Sequence, residues 1–371
     1  MTTRIADIDL LKNWLNKQSG RYVVLREKRA NGTLSELNLL ADMELAYRLE
    51  EKFPRAREGV KVDIYGMQRA DYLGFPHLPK GLAEACLQKR TLESNNGPSI
   101  ANSGWYRAAP VHELEALLYH LCYHKPEKSG FLQDTITPFN KPASDSIYAE
   151  RVQQLIGTTG APALMTLQQV HGWLSERQLG LDTERLQTYV RYQFARGIKS
   201  YFHAWLMNQT HGELNLFVIR GVAVKFKQAD ALLEQLSRQY QIIATRTVPW
   251  HQRLMRMRHM RGGKWKRGGK PHLAVVVFDP NPMATSEAER HVHPFVFNAR
   301  QFIKRDWRMW FTGATGARPQ DNPIHSTDNE AEAIGHLPLF FDDGEQQHIL
   351  AQLAVSRATT ASQSKAHSDV S

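Results

Sequence analysis

The sequence has little cysteine. Only Cys86 and Cys122 occur in 371 residues, which excludes a disulfide framework and a cysteine-ligated zinc site. No apolar run approaches the ~18 residues a membrane span requires, so no spanning helix is expected. Met1 to Leu15 is charged and lacks a long apolar core, so no signal peptide is read there and a cytoplasmic protein is the default. Acidic residues are the minority charge, 37 Asp+Glu against 47 Lys+Arg, a net charge of +10. That sign favours an anionic partner: a nucleotide, a nucleic acid or an acidic membrane surface. What remains is globular in composition, 42% hydrophobic and 23% charged. The length allows two or three domains, each with its own core.

Residues 1–145 read as an α+β domain. Ile5 to Leu15 has helical spacing, and Arg21 to Arg26 reads as a strand with Leu37 to Leu40 as a pairing partner. Asp42 to Lys52 is helical again, and Val60 to Tyr65 alternates as a half-buried strand does. Pro76 and Pro79 precede a helix from about Gly81 to Arg90; Thr91 to Gly104 reads as a loop, and Pro110 to His124 as an amphipathic helix. His120 and His124 stand four apart and share a face of that helix, as two zinc ligands would. No HExxH pattern accompanies His112-Glu113, and Lys125 follows His124 directly. Packed or hydrogen-bonded histidines near a helix C-terminus are the expectation, and no metal site is assigned.

This order resembles a small nucleotidyltransferase-like α+β domain. The resemblance implies an Asp-x-Asp pair on one strand and a third carboxylate on a neighbour, holding Mg²⁺ against a triphosphate. The pair falls on Glu36-Leu37-Asn38, with Asp63 as the third group. Asn38 carries no charge and the family's Gly-Ser turn is absent, so the alternative is a degenerate domain that binds substrate or scaffolds.

Residues 146–211 read as a helical connector. Pro138, Pro142 and the Ser/Asp residues near 145 mark a linker before it. Ile147 to Ile156 is a helix; Thr166 with Gln169 has capping-box spacing, and Asp182-Thr183-Glu184 opens a long helix towards Asn208. Tyr189, Tyr192, Tyr201, Phe202 and Trp205 on that helix are read as core.

Residues 212–355 read as strand (Leu214–Ile219), helix (Gln228–Tyr240), strand (Gln241–Thr245), basic insert, strand (Lys270–Asp279), helix, then a polar loop and a last helix from about Asp328. That order suits a ferredoxin-like α/β sandwich. The loop is the stretch around which the chain is organised: Asn322-Pro323-Ile324-His325-Ser326-Thr327-Asp328-Asn329-Glu330. Thr327 and Glu330 have capping-box spacing, which would leave a helix mouth and its N–H groups beside His325, a place for a phosphate. A histidine there can take a phosphoryl group onto a ring nitrogen. The bland alternative is a capped helix with a surface histidine. After Leu353 the composition turns to Ala, Thr, Ser, Gln and Lys, so 356–371 is expected to be a disordered tail.

The loop resembles the Asn-x-x-His-Gly-Ser-Asp-Ser motif of nucleoside diphosphate kinases, here Asn322-x-x-His325-Ser326-Thr327-Asp328-Asn329, followed by the apolar run Leu337-Pro338-Leu339-Phe340-Phe341. The resemblance implies that family's fold and a phosphohistidine at His325. Arg220 stands for the family lysine, Gly313-Ala314-Thr315 for its Gly-x-Thr, and Arg318 for the arginine before the loop. It makes Arg220, Thr315, Arg318, Asn322 and His336 nucleotide-binding residues, with ATP or another nucleoside triphosphate and Mg²⁺ as cofactors. The chain departs from the family at Ser326 for glycine and at His336 for the glutamate that orients the histidine; the nucleotide-covering loop is also short.

Between Arg253 and Lys270 eight Lys/Arg occur without an acid. Arg256, Arg258, Arg261, Lys264, Lys266 and Arg267, with Trp265 among them, read as an anion clamp for a polyphosphate or single-stranded nucleic acid, or as a solvated loop. The leading expectation is a nucleotide-dependent phosphotransferase acting through His325 on an unidentified acceptor. A non-catalytic nucleotide- or nucleic-acid-binding protein, or a nucleotidyltransferase using Asp63, are its rivals. An oligomer is among the assemblies the sequence allows.

Overall fold

The structure, a computed structural model, describes residues 2–54, 56–71, 73–92, 104–133, 148–249 and 267–368. Packing divides the chain into two units, Met1–Thr135 with Phe139–Asp182, and Ile136–Pro138 with Thr183–Ser371. Both mix helix and sheet. Among the described residues no helix is long and apolar enough to cross a membrane.

The N-terminal unit opens with β1 (Thr2–Ile5), α1 (Ile8–Asn16), β2 (Tyr22–Ala30), β3 (Thr33–Ala41), α2 (Met43–Lys52) and β4 (Val60–Gly66). Asp7 caps α1 by accepting from the Leu10 N–H at 2.8 Å. The β2–β3 hairpin turns at Asn31-Gly32, where both φ angles are positive (51° and 77°), as a two-residue primed turn requires. The α2 crossover makes β3 and β4 parallel, and the sheet order is β1-β4-β3-β2. Leu37, Leu39, Val62 and Ile64 of the sheet bury one face against Leu11 and Leu15 of α1 and Leu45 and Leu49 of α2.

Helices follow: α3 (Lys80–Gln88), the short strands β5 (Arg90–Leu92) and β6 (Tyr106–Ala108), α4 (Pro110–Tyr119), α5 (Ala149–Thr159) and α6 (Leu167–Glu176). The capping box expected at Thr166 is formed: Thr166 accepts from Gln169 N, and Gln169 reaches back to the Thr166 N–H. Instead of running as one α-helix to His124, α4 widens into a π turn over His120–His124, closed by Lys125 N donating to His120 O at 3.1 Å. Most of the expected loop at 91–104 and the linker near 138–145 lie outside the described residues.

The C-terminal unit contains α7 (Thr183–Ala195), α8 (Tyr201–Met207), β7 (Glu213–Arg220), α9 (Gly221–Lys225), α10 (Ala229–Gln239), β8 (Gln241–Thr247) and β9 (Pro271–Asp279). It continues with α11 (Glu287–Val292), α12 (Ile303–Thr315), β10 (Ile324–Ser326), α13 (Glu330–His336) and α14 (Asp343–Ser368). The sheet order is β10-β7-β9-β8, every pair antiparallel. Counted within the unit this is 4-1-3-2; three of its strands stand where the sequence pattern puts strands, and the fourth, β10, stands where it puts a loop. Phe217, Ile219, Val275 and Val277 pack on Leu232 and Leu236 of α10 and Trp307 and Phe311 of α12. β7 is buried along its whole length, so its second face is covered too; α13 packs on β7, and α7 packs on α13.

Three expectations are corrected. The helix from 182 to 208 is two helices: it stops before Gly197, whose φ of +71° an α-helix cannot hold, and restarts at Ser200, which accepts from His203 N. The connector is not a unit of its own, since the boundary falls at Asp182, leaving α5 and α6 in the first unit and α7 and α8 in the second. The tail expected to be disordered is the end of α14 as far as Ser368. Alanine-rich composition favours helix there, Leu353 is buried, and Arg357 pairs with buried Glu330.

Candidate functional site

His325 sits in the middle of a strand, not on a loop before a helix. It lies opposite Val218 of β7. Side chains alternate along a strand, so His325 shares a face with Val218 and Arg220 and points away from the core of Phe217, Ile219 and Ile324. The expected capping box at Thr327 does not form, because β7 uses both of its residues. Leu216 N donates to the Thr327 hydroxyl and Thr327 N to Leu216 O, each at 3.0 Å, and Glu330 accepts from Leu214 N at 3.0 Å. The helix starts later, capped by Asn329, which accepts from Glu332 N at 2.9 Å.

What stands beside His325 is a set of cations, one buried (Arg220) and two half-buried (Lys304 and Arg308). Burial pushes the imidazole down to about 3, Arg220 and Lys304 add to the effect, and Glu332 opposes it. The ring is neutral, and its Nε2 is buried with no hydrogen-bond partner among the described residues. Arg220 is only 2% exposed; burial and the Arg308 guanidinium push it down to about 10. Lys304 and Arg308 lie one turn apart on α12 and bracket the histidine. Lys304 Nζ donates to Ser326 Oγ at 2.9 Å, and the Arg308 guanidinium to Ile324 O at 3.0 Å. Burial lowers both, and Arg305 lowers both further. The carboxylates close by are Asp328, 3.9 Å from Lys304, and Glu332, already held by Lys199 at 2.7 Å.

A cleft of about 450 Å³ opens in the same unit, lined by Gly221, Lys225, Phe226, Gly268, Gly269, Arg318 and Asp321 among others. Gly268 holds φ of +152°, and a Cβ on it would lie 2.0 Å from Asn322 O and 3.0 Å from Arg220 Cδ. Glycine is the residue that lets this loop close over Arg220.

The sequence-predicted residues divide accordingly. Arg220 and His336 join His325; His336 is buried at the end of α13, its ring 5.9 Å from that of Phe194. Arg318 lines the cleft but is tied to Asp321 at 2.9 Å. Asn322 accepts from Ile324 N at 3.2 Å, and Thr315 donates to Phe311 O at 2.6 Å, so both serve the backbone in this state. Arg256, Arg258, Arg261, Lys264 and Lys266 lie outside the described residues; Arg267 is exposed, and its carbonyl accepts from Asn322 N. The sequence reading missed Lys304, Arg305 and Arg308. Their signal was a pair of cations at i, i+4 on the helix before the histidine stretch.

In the N-terminal unit, β3 and β4 place Asn38 opposite Asp63 and Glu36 opposite Lys61. Lys61 Nζ lies 3.1 Å from Glu36 and 2.8 Å from Asp63. An ammonium thus stands between the two carboxylates that the nucleotidyltransferase resemblance would give to Mg²⁺, so that expectation is corrected. Nearby, His77, His120 and His124 offer ligand nitrogens all within 4.8 Å of one another. His77 lies on the segment between β4 and α3 and no periodicity marked it. His112 is elsewhere, bonded to Glu115 at 3.0 Å.

The strand order and covered faces define a ferredoxin-like sandwich joined in sequence to an α+β unit. No protein-family profile matches the chain, and no curated protein matches it. Among solved structures it is similar to the nucleoside diphosphate kinase of Aquifex aeolicus, at 16% identity over 36% of this chain and 98% of that one, with a TM-score of 0.24. A score of that size fixes neither fold nor activity, which rest on the strand order and side chains above.

Proposed function

We propose that the C-terminal unit binds the phosphates of a nucleoside triphosphate and that His325 accepts the terminal phosphoryl group for transfer to a second substrate. The observation that supports this reading is the neutral imidazole set among Arg220, Lys304 and Arg308. A neutral ring keeps a lone pair for attack, which a protonated ring would lack. In the step, a ring nitrogen forms a bond to the terminal phosphorus, the bond from phosphorus to the bridging oxygen breaks, and the nucleoside diphosphate leaves with that electron pair. Arg220 and Lys304 hold the oxygens on which charge develops. Mg²⁺ carried by the nucleotide would offset the charge of its phosphates. Phe226 and Lys225, in the adjoining cleft, suit the base and the phosphate tail.

One observation favours a second reading, in which the unit binds phosphates without covalent chemistry: Nε2 of His325 is buried, so the ring must turn before that nitrogen can meet phosphorus. Incubation with ATP labelled in the γ-phosphate separates the two. The first reading expects acid-labile, base-stable label on the chain, lost in His325→Ala. Nucleotide binding that persists with no label in the unmutated chain supports the second. Neither binding nor label contradicts both.

A further inference from the structure

The histidine cluster of the N-terminal unit points to a ligand of the opposite charge, and nothing about it depends on the phosphate site. His120 and His124 lie on the π turn that ends α4, and the segment between β4 and α3 brings His77 to them. Ring centroids are 4.4 Å apart for His77 and His124, 5.3 Å for His120 and His124, and 5.6 Å for His77 and His120. We propose that His77, His120 and His124 bind a divalent transition metal ion of the zinc class.

Four observations carry this. First, both ring nitrogens of His120 are buried with no hydrogen-bond partner among the described residues. An imidazole has a donor and an acceptor to satisfy, and leaving each unmet in a protein interior is costly. A metal removes the acceptor's deficit directly. Second, the ligand set is imidazole alone, which selects zinc, copper, nickel or cobalt over magnesium or calcium. Third, one ring has a fixed wall: Tyr65 stacks on His77 with centroids 3.8 Å apart. Fourth, π turns inside helices collect at functional sites, and this one carries two of the three ligands. A tetrahedral ion bound at about 2.0–2.1 Å spaces its nitrogens about 3.4 Å apart. The present spread therefore needs only an inward rotation of the rings.

Arg26 is the element that resists loading. Its Nη2 lies 3.2 Å from His77 Nε2 and also donates to Asn38 Oδ1 at 3.2 Å. An ion taken by His77 Nε2 displaces that guanidinium from the ring, leaving it on Asn38. Three protein ligands leave a fourth position for water or an anion. Arg26, which also lines a cleft of about 540 Å³ with Lys28, Arg107 and Arg151, is the cation best placed to hold an anion there.

The test uses the full chain, stripped with a chelator and titrated with Co²⁺ under visible absorption. Bands of nitrogen-ligated, low-coordinate Co²⁺ should saturate at one equivalent and vanish when Zn²⁺ is added. His120→Ala with His124→Ala should lose them, while His112→Ala, on the same helix, should keep them. If the double variant does not fold, X-ray absorption of the zinc-loaded unmutated chain decides: three imidazoles at about 2.0 Å support the site. No bands in the unmutated chain, bands unchanged in a folded double variant, or a zinc shell with fewer than three imidazoles overturns it.

Discussion

In the N-terminal unit buried His77 stands among two more imidazoles with the Arg26 guanidinium at one ring nitrogen; in the C-terminal unit His325 stands among two guanidiniums and an ammonium. Burial keeps His77 and His120 well below the usual histidine range, and does the same to His325. All three rings are therefore neutral at pH 7, and proton count does not tell the two places apart. The neighbours do. Three lone-pair-bearing rings aimed at one point invite a cation. One such ring among Arg220, Lys304 and Arg308 invites an anion that the ring can attack. The same side chain is set to opposite uses by the charges packed around it.

The largest effect that would break this comparison is at His325. His325→Ala should abolish phosphoryl label while nucleotide still binds, measured by filter retention and calorimetry; label that survives would place the chemistry elsewhere. Next is the cation beside it. Arg220→Met removes a charge-assisted contact worth about 1.5–3 kcal/mol, so nucleotide affinity should fall on the order of 10- to 100-fold. An unchanged affinity would mean that Arg220 is a structural cation only.

Metal should act on the other unit. At Zn²⁺ a hundredfold above its dissociation constant, native-state binding stabilises by about 2.7 kcal/mol. The unfolding midpoint of the N-terminal unit should rise, and His120→Ala should cancel the rise. A shift of equal size in that variant would trace the effect to other histidines.

A smaller effect follows from pH. His325 has an ordinary value of 6.5 and a folded value of about 3. The unfolded chain then binds the proton first, so the contribution is whole above pH 6.5 and is lost as pH falls towards 3. Glu213, buried beside Glu330, behaves in reverse. Its folded value of about 8 exceeds the ordinary 4.5, so its contribution is whole below pH 4.5 and is lost as pH rises through 8. Glu213→Gln should therefore stabilise the chain at pH 8.5 by about 1–3 kcal/mol relative to pH 4.5, read from denaturant midpoints. Equal stability at both pH values would contradict a carboxyl whose proton is held by burial and by Glu330.

Three of the four strands of the C-terminal sheet were legible because they carry their own signal, whereas the three-residue β10 does not. Leu216–Ile219 and Ala274–Phe278 are continuous apolar runs of the kind that fill a sheet covered on both faces, and the intervening helices keep the helical period. Thr166 and Gln169 read correctly because both ends of that capping box are local. Thr327 and Glu330 had the same spacing and misled, since β7, more than a hundred residues earlier, took their side chains. Long-range hydrogen bonds leave no trace in spacing. His77 and the Lys304/Arg308 pair were missed for the same reason: only folding brings them to His120 and to His325. The helix through Ser368 escaped because low hydrophobicity was read as disorder, although alanine and hydroxyl groups bonded to preceding carbonyls, as at Thr359 and Ser362, suit a helix.

The most direct test is a nitrogen NMR titration of the 16 imidazoles in the intact chain, first with Zn²⁺ and then, in a metal-free sample, with Mg²⁺ and ATP. The account predicts that zinc moves His77, His120 and His124 and spares His325, while the nucleotide moves His325 and spares the three. If both ligands move the same rings, or the nucleotide leaves His325 untouched, the opposed roles assigned to the two sites are wrong.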